Sequence, residues 1–187
     1  MNKLIICFAF LFCMFNVDLL LAATDLTGKT FVMTGKFLGV ATASCKKAGN
    51  RNIPIRPQKR LHANIAFNQG NVFLWSESGL SIGPLINVPG VWFQKGTFID
   101  LEFDDASSSG LKATAQILPQ TFSQQGVTVA INNTKYGFSA KTNSTGNQLT
   151  VTETGSFKII ANGTFRGVSD SCVARVKLQR IYKGRSG

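Results

Sequence analysis

Two runs of cationic residues carry the clearest potential chemistry in this sequence. Lys46, Lys47, Arg51, Arg56, Lys59 and Arg60 follow Cys45, while Arg175, Lys177, Arg180, Lys183 and Arg185 follow Cys172. Ammonium and guanidinium groups this dense attract polyanions, and the attraction weakens as salt is added. If Cys45 and Cys172 are bonded, their Cα atoms lie within about 7 Å of each other. Both runs then leave one point and build a single anion-binding patch. If the runs diverge after the sulfurs, they are two solvated faces instead.

Catalytic chemistry is poorly supplied. The single histidine, His62, falls on the polar side of a strand with no carboxylate near it in sequence to orient it. No serine sits in a G-x-S-x-G elbow. Asp100, Glu102, Asp104 and Asp105 cluster but lack the spacing of a calcium loop, and read as a solvated acidic edge that discourages strand pairing. Zinc, Walker and dinucleotide patterns are also missing. The residues predict a protein that binds rather than catalyses, with no cofactor and no metal.

Fifteen phenylalanines and two tryptophans supply apolar bulk. Aromatic residues at alternate strand positions are usually core. Phe73, Trp75, Trp92 and Phe138 are nevertheless candidates to line a cavity, because a barrel can enclose one small ligand.

The elements that must position these groups begin after an export signal. Met1-Asn2-Lys3 is a short positive start, Leu4 to Phe15 is apolar, and Leu19 to Ala23 leads to a cut after Ala22 or Ala23. The rival, an uncleaved anchor, is disfavoured by Asp18, since a carboxylate inside a spanning helix is expensive. Residues 1–23 are read as signal peptide, and residues 24–187 as one secreted or periplasmic domain without a transmembrane segment. Cys7 and Cys13 leave with the signal, so Cys45 and Cys172 remain to form one disulfide. The chain's formal net charge of +11 suits acidic partners rather than specific nucleic-acid reading.

The mature part shows no convincing amphipathic helix. Short alternating apolar runs broken by Gly, Asn and Pro predict an all-β fold, a single antiparallel meander barrel or closed sandwich of about ten strands. Lys29–Met33 and Lys36–Cys45 read as a strand or strand pair, with Gly35 and Gly39 as kinks. Lys46 to Gln58 reads as an exposed loop, and Leu61, Ala63, Ile65 and Phe67 as the buried face of a strand. Pro89-Gly90, Lys95-Gly96, Asn132-Asn133, Asn143 to Asn147 and Asn162-Gly163 are expected turns. Lys112 to Leu118 is an expected strand. In the last strand Cys172, Ala174, Val176 and Leu178 share one face, and Arg175, Lys177 and Gln179 the other. A shared G-x-F-x-G-V at Gly35–Val40 and Gly163–Val168 calls for a bulge or turn at Ser169-Asp170, to bring Cys172 onto the inner face.

The pattern Phe67-x-x-Gly70, then Gly90-x-Trp92-x-x-x-Gly96-x-x-Ile99-x-Leu101-x-Phe103, resembles the middle hairpins of bacterial extracytoplasmic lipocalin-like barrels. The resemblance covers about forty residues and lacks the N-terminal G-x-W and C-terminal helix of true lipocalins. It implies a non-enzymatic binding protein for an apolar or amphipathic ligand. The cationic runs imply an alternative, a secreted surface or virulence-type module that binds anionic glycan, lipopolysaccharide or lipid. A third reading is protease inhibition through the segment Asn52 to Lys59, which Arg56 before Pro57 makes a poor trypsin-like target.

Overall fold

The computed structural model describes residues 24–54, 59–78, 84–104, 111, 127–165 and 168–187. Within them lie nine strands: β1 (Thr30–Cys45), β2 (Gly49–Pro54), β3 (Lys59–Phe67), β4 (Val72–Ser78), β5 (Leu85–Lys95), β6 (Phe98–Phe103), β7 (Val127–Thr142), β8 (Gln148–Phe165) and β9 (Val168–Ser186). Each strand from β3 to β9 pairs antiparallel with the next, and β1 pairs with β2, β3 and β9. The β1–β9 ladder runs from Phe31↔Ser186 to Cys45↔Cys172 and closes the sheet on itself. The result is a closed eight-stranded antiparallel barrel with β2 as an added strand.

Apolar alternation builds these strands. On β3, Leu61, Ala63, Ile65 and Phe67 are buried, while His62 and Asn64 are exposed. On β9, Val176, Leu178 and Tyr182 face inward, and Arg175, Lys177 and Lys183 face outward. Gly35 leaves room for the Tyr182 ring beside it on β1, where a Cβ would collide with that ring. Strand length then sets the shape. β1, β7, β8 and β9 are 16 to 19 residues long and outrun their neighbours. β3 pairs with β1 only from Thr30 to Lys36, and β2 takes over from Val40 to Cys45. The long strands and β2 thus extend the sheet beyond the barrel proper.

Several expected turns are strand instead, because long ladders override local turn preference. Residues 49–54 of the expected loop pair with β1, while residues 55–58 lie outside the described residues. Pro89-Gly90 sits inside β5, opposite Leu74 and Phe73. Asn132-Asn133 is a bulge in β7, where the register shifts before Lys135 and Asn133 takes a φ of 52°. Asn162-Gly163 continues β8 as far as the Phe165↔Val168 pair. That pair removes the need for a bulge at Ser169-Asp170: Phe165 and Cys172 stand on different strands, and the β8–β9 register is unbroken. Lys95-Gly96 and Asn143 to Asn147 do turn, the first with Gly96 at a φ of 62°. The expected strand at Lys112 to Leu118 lies outside the described residues.

The interior is layered. The larger apolar cluster includes Phe31, Met33, Phe67, Phe73, Trp75, Trp92 and Tyr182. A second cluster of Ala41, Leu111, Phe157, Val176 and Leu178 lies toward the extended end, and Phe37 packs against both. Between Leu178 and Tyr182 on β9 stands Arg180, and between Val151 and Phe157 on β8 stands Glu153. A charged layer therefore separates two apolar ones.

Candidate functional site

The Cys45–Cys172 disulfide is present, with Cα atoms 4.0 Å apart. It sits at the far end of the β1–β9 ladder, so Lys46 and Lys47 lie in the turn beyond it, both exposed. Asp170 shapes this tip by accepting backbone N–H groups from Lys47, Ala48 and Ser171 at 2.7–3.2 Å. Desolvation opposes its charge, but those amides together with the Lys47 charge outweigh it and hold the carboxyl below the usual carboxylate range. Cys45, Cys172 and Asp170 place their ligand atoms within 4.8 Å of one another, a metal-like grouping. Both sulfurs are consumed by the disulfide, so neither is a thiolate ligand.

The predicted cationic patch changes membership. Arg175, Lys177 and Lys183 face outward on β9, but Arg180 is 4% exposed and lies inside the barrel. The parity that turns Val176 and Leu178 inward also turns Arg180 inward. The side chains of Arg51, Arg56, Lys59 and Arg60 lie outside the described residues. In their place the closed sheet recruits cations from distant sequence. Lys158 of β8 is the cross-strand partner of Arg175, Ser156 of β8 pairs with both Lys135 and Lys177, and Thr150 pairs with both Lys141 and Lys183. Lys36 of β1 stands opposite Ile181, on the same outer face.

Outward positions described on β7, β8, β9 and β1 therefore carry Lys135, Lys141, Lys158, Arg175, Lys177, Lys183, Arg185 and Lys36, set among Thr, Ser and Gln and the exposed Val32, Leu38 and Val40 of β1, with no carboxylate. Neighbouring strands are about 4.8 Å apart, and same-face residues about 6.8 Å apart along a strand. Adjacent cations thus lie within about one Debye length at physiological salt, so their fields add. A groove of about 380 Å³ crosses this face between Lys135 and Lys177, lined also by Tyr136, Gly137, Thr154 and Ser156. Exposed acid is placed elsewhere: Asp100 and Glu102 face outward on β6, and Asp104 follows it. Asp105 lies outside the described residues.

The cavity-lining candidates are packed core. Trp75 stands edge-to-face on both Phe138 and Tyr182, with ring centroids 5.1 and 5.2 Å away. Phe73 meets Phe103 at 5.3 Å, and Trp92 meets Phe67 at 5.2 Å. These rings fill the space they were expected to line, because edge-to-face aromatic packing stabilises more than an open void of the same shape.

Sequence reasoning also missed the charged layer, since its members come from three strands. Arg180 Nη1 donates to Glu77 Oε1 at 3.0 Å and lies 3.5 Å from Glu153 Oε2. Tyr182 Oη and Trp75 Nε1 also donate to Glu77, and the Leu111 amide donates to Glu153 at 3.0 Å. The Arg180 guanidinium lies 5.8 Å from the Phe37 ring centroid, and its Nε has no hydrogen-bond partner among the described residues. Burial pushes the Glu77 carboxyl above the usual range against the pull of Arg180, Tyr182 and Trp75. Burial and the neighbouring Glu77 charge likewise push the Tyr182 phenol up.

A pH dependence follows. A carboxyl whose folded pKa is raised stabilises the fold fully below its unfolded pKa, and that contribution is lost as pH rises through the folded value. Comparing urea midpoints of the wild type and Glu77→Gln across pH 4 to 8 isolates the effect. The wild type is expected to lose stability relative to the variant as pH rises. Parallel curves for the two proteins would refute the assignment.

No family model matches the chain, and no curated protein matches it. Among solved structures it is similar to a multidomain protein including DUF1735 from Bacteroides ovatus, with 8% identity and a TM-score of 0.31. That match covers 80% of this chain, which spans 57% of the Bacteroides one. It is also similar to Ail, the attachment invasion locus protein of Yersinia pestis, with 6% identity and a TM-score of 0.26, covering 87% of this chain and 100% of that one.

Proposed function

We propose that this chain is an extracytoplasmic, non-enzymatic binding module that grips polyanions through the outer face of β7, β8, β9 and β1. One observation carries the reading: the four adjacent strands present cations without a single outward carboxylate among their described residues. Such a face concentrates positive potential and raises the local concentration of anionic partners. The disulfide favours an oxidising compartment. A lipocalin-like carrier of an apolar ligand is the weaker reading, because Phe73, Trp75, Trp92 and Phe138 spend their surface on one another and on the core rings beside them. Protease inhibition has no support from the described residues, since Asn52–Pro54 belong to β2 and Arg56 lies outside them.

The test is retention on immobilised heparin across a salt series. The wild type is expected to elute late, with affinity falling steeply as salt rises. The triple variant Lys135→Gln, Arg175→Gln, Lys177→Gln should bind at least tenfold more weakly at physiological salt, taking about 0.5–1 kcal/mol per cation. A triple variant that elutes with the wild type would sink the proposal.

A further inference from the structure

Beyond the cations, the extended end of the sheet carries a second groove whose chemistry is mostly neutral. It holds about 600 Å³ and is lined by Thr42 and Ser44 of β1, Asn50 and Asn52 of β2, and Val173 and Arg175 of β9. The register explains why these side chains meet. Asn50, Ser44 and Val173 form one rung across three strands, and Asn52, Thr42 and Arg175 form the next. Thr42, Ser44, Asn50, Asn52 and Arg175 are all exposed. The groove exists only because β2 adds itself to β1 where β3 has ended.

Two amides and two hydroxyls supply donors and acceptors together, whereas a phosphate or carboxylate asks for donors alone. A ligand that uses both carries hydroxyl groups. Val173 adds a small apolar spot for a C–H face, and Arg175 offers a planar fork suited to a carboxylate or sulfate. Lys177 stands two residues further along the same face of β9, where the cationic surface begins. The groove lining is polar apart from Val173 and the buried Ala43, but Leu38 and Val40 stand exposed on the same face of β1 beside it, so a lipid surface is the competing partner that the experiment separates.

We infer that this groove is a subsite for an anionic polysaccharide: Asn50, Asn52, Thr42 and Ser44 bond its sugar hydroxyls, and Arg175 holds its acidic group. The inference rests on the polyanion reading and narrows it from any polyanion to a glycan. The chain continues from the groove onto Lys177 and Lys135, so neutral recognition and charge neutralisation act on one polymer.

The experiment uses the mature protein with a size-defined, fluorescently labelled heparin hexasaccharide followed by anisotropy over a salt series, and phosphatidylglycerol vesicles followed by co-sedimentation. The double variant Asn50→Ala, Asn52→Ala keeps every charge. It should bind the hexasaccharide about tenfold more weakly at fixed salt, with the wild-type salt slope and unchanged vesicle binding. If the double variant binds the hexasaccharide as the wild type does, the subsite is overturned while the cationic face stands. If the wild type sediments with vesicles but ignores the hexasaccharide, the polyanion is lipid and the inference is again overturned. If the wild type binds neither, the polyanion reading itself fails and takes the subsite with it.

Discussion

Arg180→Met is expected to destabilise the fold by about 3–5 kcal/mol, read as a lower urea midpoint at neutral pH with unchanged slope. Glu77 and Glu153 are each 2% exposed, and Arg180 stands between their carboxylates. Methionine fills much of the arginine's volume but leaves two anions in a dry interior without their cation. The same layer replaced as a unit should behave differently. Glu77→Gln and Glu153→Gln added to Arg180→Met keep acceptors for the Tyr182 hydroxyl and the Leu111 amide while removing every charge, so most of the lost stability should return. The single-variant cost should also shrink in acid, because the raised Glu77 pKa lets that carboxyl take a proton before an ordinary glutamate would. A single variant as stable as the wild type would mean that the layer is wet and the charges are solvated.

The disulfide sets the second large effect. Cys45 and Cys172 are 127 residues apart in sequence, and closing so long a loop restricts the unfolded chain by about 4–5 kcal/mol in the chain-entropy model. The double variant Cys45→Ala, Cys172→Ala should lose up to that amount of stability while keeping its far-ultraviolet circular dichroism. The barrel survives because the β1–β9 ladder continues from Ser44↔Val173 down to Phe31↔Ser186 without the crosslink. The loss should show first at the tip, where the amides of Lys46, Lys47 and Ala48 bond across to Ser171 and Asp170. Hydrogen exchange there should speed up well before exchange at Phe31 or Tyr182 does. Uniform acceleration along both strands would place the crosslink at the centre of barrel closure rather than at its end.

Much of this molecule was legible residue by residue. Strand periodicity alone marked Leu61, Ala63, Ile65 and Phe67 as buried and gave the last strand its two faces. Reading residues 1–23 as a signal left two cysteines and so pointed to the Cys45–Cys172 bond, which the structure contains. Applied two residues further, the same periodicity puts Arg180 inside, yet charge argued for the surface, and nothing local to β9 announces Glu77 on β4 as its partner. The bulge at Asn132-Asn133 and the continuous strand through Asn162-Gly163 were hidden for a related reason: a turn signal is local, while the long ladders of β8 that overrule it are not.

Composition and periodicity thus determined the all-β class and the facing of each apolar run, because those depend on residue type and on the two-residue period of a strand. The registers of β7, β8 and β9 decided that Lys135, Lys141 and Lys158 join Arg175 and Lys177 on one face, acid-free among the described residues, and closure through β1–β9 added Lys36 and let Glu77, Glu153 and Arg180 meet between two apolar layers. Which strands become neighbours, and in what register, is set by the whole sheet at once, and no short window of sequence contains it.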